Sequence, residues 1–195
     1  MISIPGQKLA LRDFQIDDLD SFAYWLQPQQ QWQKLDAPYE KSLSSPEEIT
    51  RGIDQLRNKI QAADWLTPRR RLVVSDRKNN SFIGFVSWYW ISEETNWAAA
   101  GIVICDPTYW RRGFGYEALG LWCDYLFQNE PEWVRLDLRT WSGNIGMMRL
   151  AAKLGFKEEA RFRNARIVAG EYYDSVGYGI LREEWKTAYP NGFGK

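Results

Sequence analysis

Chemistry is concentrated in the segment Asp106-Pro107-Thr108-Tyr109-Trp110-Arg111-Arg112-Gly113-Phe114-Gly115-Tyr116. A β-branched run, Ile102–Cys105, leads into it, and a helical apolar pattern (Leu119, Trp122, Leu126) follows. A helix N-terminus leaves N–H groups without partners and carries partial positive charge. Gly113 and Gly115 let the backbone approach an anion closely, and Arg111 and Arg112 add forked cationic donors. A strand, a glycine turn and a helix in that order suit a pyrophosphate. The turn is not a P-loop, because no Gly-Lys-Ser/Thr follows, and it lacks the third glycine of the dinucleotide fingerprint.

The chain contains no histidine. That removes Ser-His-Asp and Cys-His catalysis and nearly every ordinary zinc site, so no metal is expected. Acid–base work falls to carboxylates, Tyr, Lys, Cys, water or an amine substrate. The two cysteines, Cys105 and Cys123, are too few for a disulfide framework. Lys plus Arg equals Asp plus Glu at 25 each, so the global basic field of a nucleic-acid binder is missing. Arg69–Arg71 reads as the solvated entrance to a strand. No apolar run is long enough to cross a bilayer, and Met1–Gln7 does not read as a secretion signal, so a cytoplasmic protein is expected.

The elements that must position these residues follow from periodicity. Lys8–Phe14 reads as a strand, and Ile16–Gln27 as a helix with Leu19, Phe22, Ala23 and Leu26 on one face. Pro28–Leu43 is polar and irregular. Ser45 and Glu48 form a capping box with Pro46 at the first helical position, opening a second helix. Arg71–Ser75 and Phe82–Ile91 flank the turn Lys78-Asn79-Asn80 as a hairpin, and Asn96–Cys105 is the next strand. After the glycine turn and its helix, Val134–Trp141 alternates as a strand and Asn144–Leu154 as a helix stopped by Gly155. Strands at Lys157–Val168 and Tyr172–Leu181 are joined by Ala169-Gly170-Glu171, and a short helix begins near Arg182. The expected architecture is one domain over residues 1–195. It is an α/β protein with a mixed, mostly antiparallel sheet of about seven strands and helices on both faces. Eleven tryptophans supply core and rim packing, and some of them a ligand cleft.

Three pieces resemble the GNAT acetyltransferase superfamily, in particular its ribosomal-protein alanine acetyltransferase branch (RimJ/RimL type). They are Arg111 through Ala118, Asn144 through Lys153-Leu154-Gly155-Phe156, and Gly170-Glu171-Tyr172-Tyr173-Asp174-Ser175-Val176. The resemblance covers essentially the whole chain. It implies transfer of an acetyl group from acetyl-CoA to a primary amine by direct attack on the thioester. The coenzyme would lie between two splayed parallel strands, Asn96–Cys105 and Val134–Trp141. The backbone of Val103, Ile104 and Cys105 would bond the pantetheine arm as an added strand would. Arg111, Arg112, Gly113, Phe114, Gly115 and Tyr116 would hold the pyrophosphate, and Asn144 would contact the coenzyme or simply cap its helix.

The chain departs from the family pattern at three places. Trp110 stands where a Gln or Arg donor is usual, Ala151 where a Tyr protonates the thiolate, and Met147 where the branch has Ser. No conventional general acid is named. Glu94, beside Glu93, is then a base acting through water, and Tyr173, beside Tyr172, an acid. Asp174 could bind the substrate ammonium or, equally, serve a turn or a cap. Trp25, Trp32, Asp36 and Tyr39, between or beside the first two helices, combine aromatic faces with a carboxylate and suit a cationic amine or, equally, a packed irregular loop. The acceptor is a protein N-terminus or a small-molecule amine, not nucleic acid or membrane, and the enzyme a monomer or homodimer. A non-catalytic acyl-CoA-binding module of the same fold is the alternative, favoured by the missing Tyr and Ser.

Overall fold

A computed structural model describes residues 1–40 and 45–194. Its strands are β1 (Ser3–Pro5), β2 (Leu9–Arg12), β3 (Arg71–Asp76), β4 (Phe82–Ser92), β5 (Trp97–Ile104), β6 (Arg135–Trp141), β7 (Lys157–Val168) and β8 (Glu171–Leu181). Its helices are α1 (Leu19–Leu26), α2 (Pro46–Ala62), α3 (Phe114–Asn129), α4 (Ile145–Lys153) and α5 (Arg182–Ala188). All the strands join one sheet in the order β1-β2-β3-β4-β5-β6-β8-β7. Every pairing is antiparallel except β5–β6.

The sheet has eight strands where the sequence suggested about seven. The addition is β1, too short to show a period, which pairs with β2 from Ser3↔Arg12 to Pro5↔Ala10. The stretch Pro28–Leu43 is less irregular than its composition implied, since residues Gln31–Lys34 form a 3-10 turn. Residues 41–43 of that stretch lie outside the described residues. The capping box at Ser45 is present: Glu48 N–H donates to Ser45 Oγ and Ser45 N–H to the Glu48 carboxylate.

Two cores sandwich the sheet. On one face Leu72, Val74, Val86, Trp88, Ala98, Ala100, Leu136 and Leu138 pack under α3, with Ala151 of α4 and Trp185 of α5. On the other face Val73, Phe85, Val103 and Cys105 meet Leu19 and Phe22 of α1 and Ile49 and Ile53 of α2. Strand alternation therefore sends Arg71, Ser87, Gly101 and Arg139 to the α1–α2 face.

Helix α3 is held at both ends. Glu117 accepts the backbone N–H groups of Gln7 and Lys8. At the other end the Arg182 guanidinium donates to the carbonyls of Phe127, Glu130 and Trp133, satisfying groups a helix end leaves open. Its N-terminus is thus aimed at the C-terminal end of β5.

Buried charge locks α1 and β3 to the sheet. Arg12 grips Asp18 with two parallel bonds of 2.7 and 2.8 Å and also donates to Asn80. Arg69 pairs with Asp13 at 2.8 Å. Arg69 is therefore buried, not solvated as the sequence pattern suggested. Removing one partner of such a pair strands the other charge. Asp18→Ala is expected to destabilise the fold by about 3–5 kcal/mol, read as a lower urea midpoint with unchanged slope.

Candidate functional site

β5 and β6 pair only at Ala98↔Leu136 and Ala99↔Asp137, then separate. β5 stays paired with β4 as far as Ile104↔Gly84, and β6 with β8 through Trp141↔Ser175. From Ala100 onward the β5 edge facing β6 has no strand beside it. The gap opens into a cavity of about 550 Å³, a size usual for ligand sites. Ala100–Ile104 forms one wall, Arg139–Trp141 and Asn144–Met147 another, and the α1–α2 segment at Trp32, Asp36 and Tyr39 a third.

The mouth is the turn before α3. Arg111 lines it with φ +58°, and Gly113 is the N-cap with φ +88°. The first helical bond is Glu117 N–H to Gly113 C=O. The N–H groups of Phe114, Gly115 and Tyr116 precede it and have no intrahelical partner. Lys8, distant in sequence, reaches the same turn: its ammonium donates to Arg112 C=O at 2.8 Å. An open strand edge ending at a helix N-terminus with two cations fits an extended ligand that ends in a diphosphate.

The predicted coenzyme residues divide. Val103, Ile104, Arg111, Gly115 and Asn144 line the cavity. Cys105 does not: it is fully buried, burial pushes its thiol pKa up, and its N–H already donates to Ile83 C=O. Arg112 turns away, donating to Thr108 C=O and lying over Tyr109 and Phe114. Phe114 is a core side chain, and Tyr116 packs on Phe193. Trp110 holds the turn instead of serving as a free donor, because its indole N–H donates to Ile104 C=O at 2.8 Å.

Asn144 caps α4 through Met147 N–H and also donates to Leu35 C=O at 3.1 Å. The Trp141 indole donates to the same carbonyl at 2.9 Å. Leu35 is thus clamped by β6 and α4, which pulls the α1–α2 segment over the gap. Main-chain clamps of this kind leave no sequence signal.

The acid–base candidates are not brought together. Glu94 sits at the exposed tip between β4 and β5, at the closed end of the gap, where Ser92 donates to it. Tyr173 stacks edge-on against Trp141 at 4.8 Å, outside the cavity lining. Asp174 accepts Arg161 and Asn164 N–H, and the Arg161 bond holds its carboxyl below the usual range. It locks the β7–β8 register shift between Phe162 and Arg166. Ala151 faces the core, while Met147 lines the cavity. Trp32 and Tyr39 do line it. Trp32 donates to Trp25 C=O, and Arg166 lies over the Tyr39 ring at 4.3 Å. Asp36 is the one carboxylate in the lining, and no hydrogen bond or ion pair among the described residues engages it. Burial, then the charge of Glu40, raises its pKa.

The pattern of the Acetyltransferase (GNAT) domain matches residues 8–157. The chain belongs to the GNAT acetyltransferase family. As a member it is an N-acetyltransferase. It is 23% identical over 150 residues to an uncharacterised N-acetyltransferase derived from the SPbeta prophage of Bacillus subtilis, covering 73% of this chain and 84% of that one. Solved structures of similar fold include the ribosomal-protein-S5-alanine acetyltransferase of Vibrio fischeri, with TM-score 0.71, 20% identity and 95% and 100% of the two chains covered. Another is the spermidine N-acetyltransferase of Vibrio cholerae in complex with CoA and spermine, with TM-score 0.71, 22% identity and 91% and 98% covered.

The two glycines of this GNAT turn differ physically. A Cβ on Gly113 would have a left-handed φ and meet the Lys8 ammonium at 2.9 Å, whereas one on Gly115 would meet Leu150 at an ordinary 3.6 Å. Gly113→Ala is expected to lose about 1–2 kcal/mol of stability and Gly115→Ala much less, compared by chemical denaturation.

Proposed function

We propose that residues 1–195 act as one catalytic domain that transfers an acetyl group from acetyl-CoA to a primary amine. The observation that carries this reading is the gap between β5 and β6 with the α3 N-terminus at its mouth. Bound acetyl-CoA would supply the thioester. The open edge of β5 from Ala100 to Ile104 would lie along its pantetheine arm. The N–H groups at the start of α3, with Arg111 and Lys8, would hold its diphosphate. Asn144 acts as a positioning residue through its cap and its bond to Leu35.

On the acceptor side the reading rests on Asp36. A carboxylate in an aromatic wall attracts an ammonium, and its raised pKa suits it to take the proton the amine sheds. Trp32 and Tyr39 form the surrounding wall. A neutral amine attacks a thioester without a covalent enzyme intermediate, so orientation in a closed gap supplies much of the barrier reduction.

The binding test is a thermal midpoint with and without ligand. A ligand at about 1,000 times its dissociation constant adds about 4 kcal/mol, and each kcal/mol moves the midpoint of a chain this size roughly 2–4 °C. A shift of that order is expected with acetyl-CoA and CoA and not with ATP or NAD. Its absence with both CoA species at saturation would overturn the reading.

The chemical test is Asp36→Asn, which is expected to lower kcat/KM about 10²–10⁴-fold while leaving the CoA-induced shift in place. Wild-type kcat/KM should fall as pH drops through the raised Asp36 pKa, and the variant should lose that limb. The folded-state pKa lies above the unfolded value. Ionising the group therefore costs stability: the contribution is full below the unfolded pKa, where Asp36 is protonated, and is lost as pH rises through the folded one. Asp36→Asn should accordingly melt higher than wild type at neutral pH. A variant that is inactive and also less stable would point to a structural role for Asp36.

A further inference from the structure

A second cleft of about 390 Å³ lies on the α1–α2 face, between α2 and the β3–β4 pair, lined by Lys59, Arg70, Arg71, Trp65, Ser87 and Tyr89 among others. No acidic residue lines it. Arg69, also at its edge, is neutralised by Asp13, but Lys59, Arg70 and Arg71 enter no ion pair among the described residues. The two arginines are held in place by aromatic faces, Arg70 over Trp88 at 3.9 Å and Arg71 over Phe85 at 4.7 Å. Their flat faces are stacked, and among the described residues their N–H edges have no acceptor; on Arg71, which faces the α1–α2 side, that arrangement is suited to a carboxylate.

The strand register connects this cleft to the cavity. Arg71 lies opposite Ser87, and Ser87 opposite Gly101, which is in the cavity wall. Both floor residues are small, and a Cβ on Gly101 would come 3.2 Å from Ser87 Oγ. Arg71 therefore lies two strands from the cavity wall at Gly101, roughly 10 Å at ordinary strand spacing. An extended chain covers that distance in about three residues.

Resting on the acetyltransferase reading above, we propose that the acceptor is a peptide N-terminus with an acidic side chain near its third residue. Its amine lies toward Asp36 and its carboxylate is bound by Arg71. A polyamine, cationic along its length, would meet Lys59 and Arg71 with repulsion, which disfavours it as acceptor.

The test uses the full chain, acetyl-CoA and three synthetic peptides, Ala-Ala-Glu-Gly, Ala-Ala-Gln-Gly and Ala-Ala-Lys-Gly, with spermidine as a fourth acceptor. The glutamate peptide should exceed the glutamine peptide by on the order of tenfold or more in kcat/KM, mostly through KM, because a charge-assisted bond is gained. The margin should shrink as salt rises. Arg71→Glu should abolish the preference or turn it toward the lysine peptide, and Arg71→Gln should reduce it. A wild-type preference for spermidine or the lysine peptide overturns the proposal. So does a glutamate preference that survives Arg71→Glu, or a failure of every peptide to react. The CoA thermal shift, measured on the same preparations, separates the two levels. A shift without peptide discrimination sinks the acceptor assignment alone, and no shift sinks the acetyltransferase reading with it.

Discussion

The two-residue parallel contact between β5 and β6 is the constraint on which the rest depends. Each strand is fully paired on its other side, β5 with β4 and β6 with β8, so neither can swing to close the gap without breaking a ladder. Buried backbone groups must find partners, and an edge opened inside a sheet leaves a row of them without a strand. One is satisfied internally, where the Trp110 indole takes the Ile104 carbonyl. The others face the cavity. A ligand that runs along a strand edge meets groups already fixed in direction, which limits the ordering cost of binding.

The surrounding elements serve that opening. Helix α3 crosses from β5 to β6, and its two anchored ends aim its N-terminal N–H groups at the open end of the gap. Leu35 is drawn in by Trp141 and Asn144, so the segment carrying Trp32, Asp36 and Tyr39 is held over the cavity by bonds to a main-chain carbonyl. Electrostatics then differ along the site, with cations at the α3 end and the carboxylate of Asp36 in the wall formed by the α1–α2 segment.

The aromatic content has a comparable division of labour. Trp88, Trp90 and Trp133 form an edge-to-face cluster with centroids near 5 Å, within the α3-side core. Trp32, Trp110 and Trp141 line the cavity, and each ties its indole N–H to a backbone carbonyl. A buried tryptophan needs such a partner, and here the partner lies in the segment that shapes the site.

Much of this was legible in the residues. Period-two alternation in Val134–Trp141 and the apolar stripes of α1, α2 and α4 are local properties, as is the capping box at Ser45, and local physics reports them directly. The glycine turn before α3 was equally visible, because a left-handed φ at Gly113 and a helix start at Phe114 are encoded within a few residues. What lay beyond reach was anything set by distant chain. Asp174 looked available for a substrate ammonium, yet Arg161 and Asn164 take it. Cys105 looked like an open strand end, yet it is sealed in the core, and Arg69 looked solvated, yet Asp13 buries it. Lys8 reaches the turn, and Asp36 is left without a partner among the described residues, only because the sheet brings segments together that are far apart in the chain. Sequence by itself determined most of the elements and the glycine turn before α3, since these depend on neighbours along the chain. Tertiary structure alone decided which polar groups are paired and which are left free, since a charge finds its partner through space.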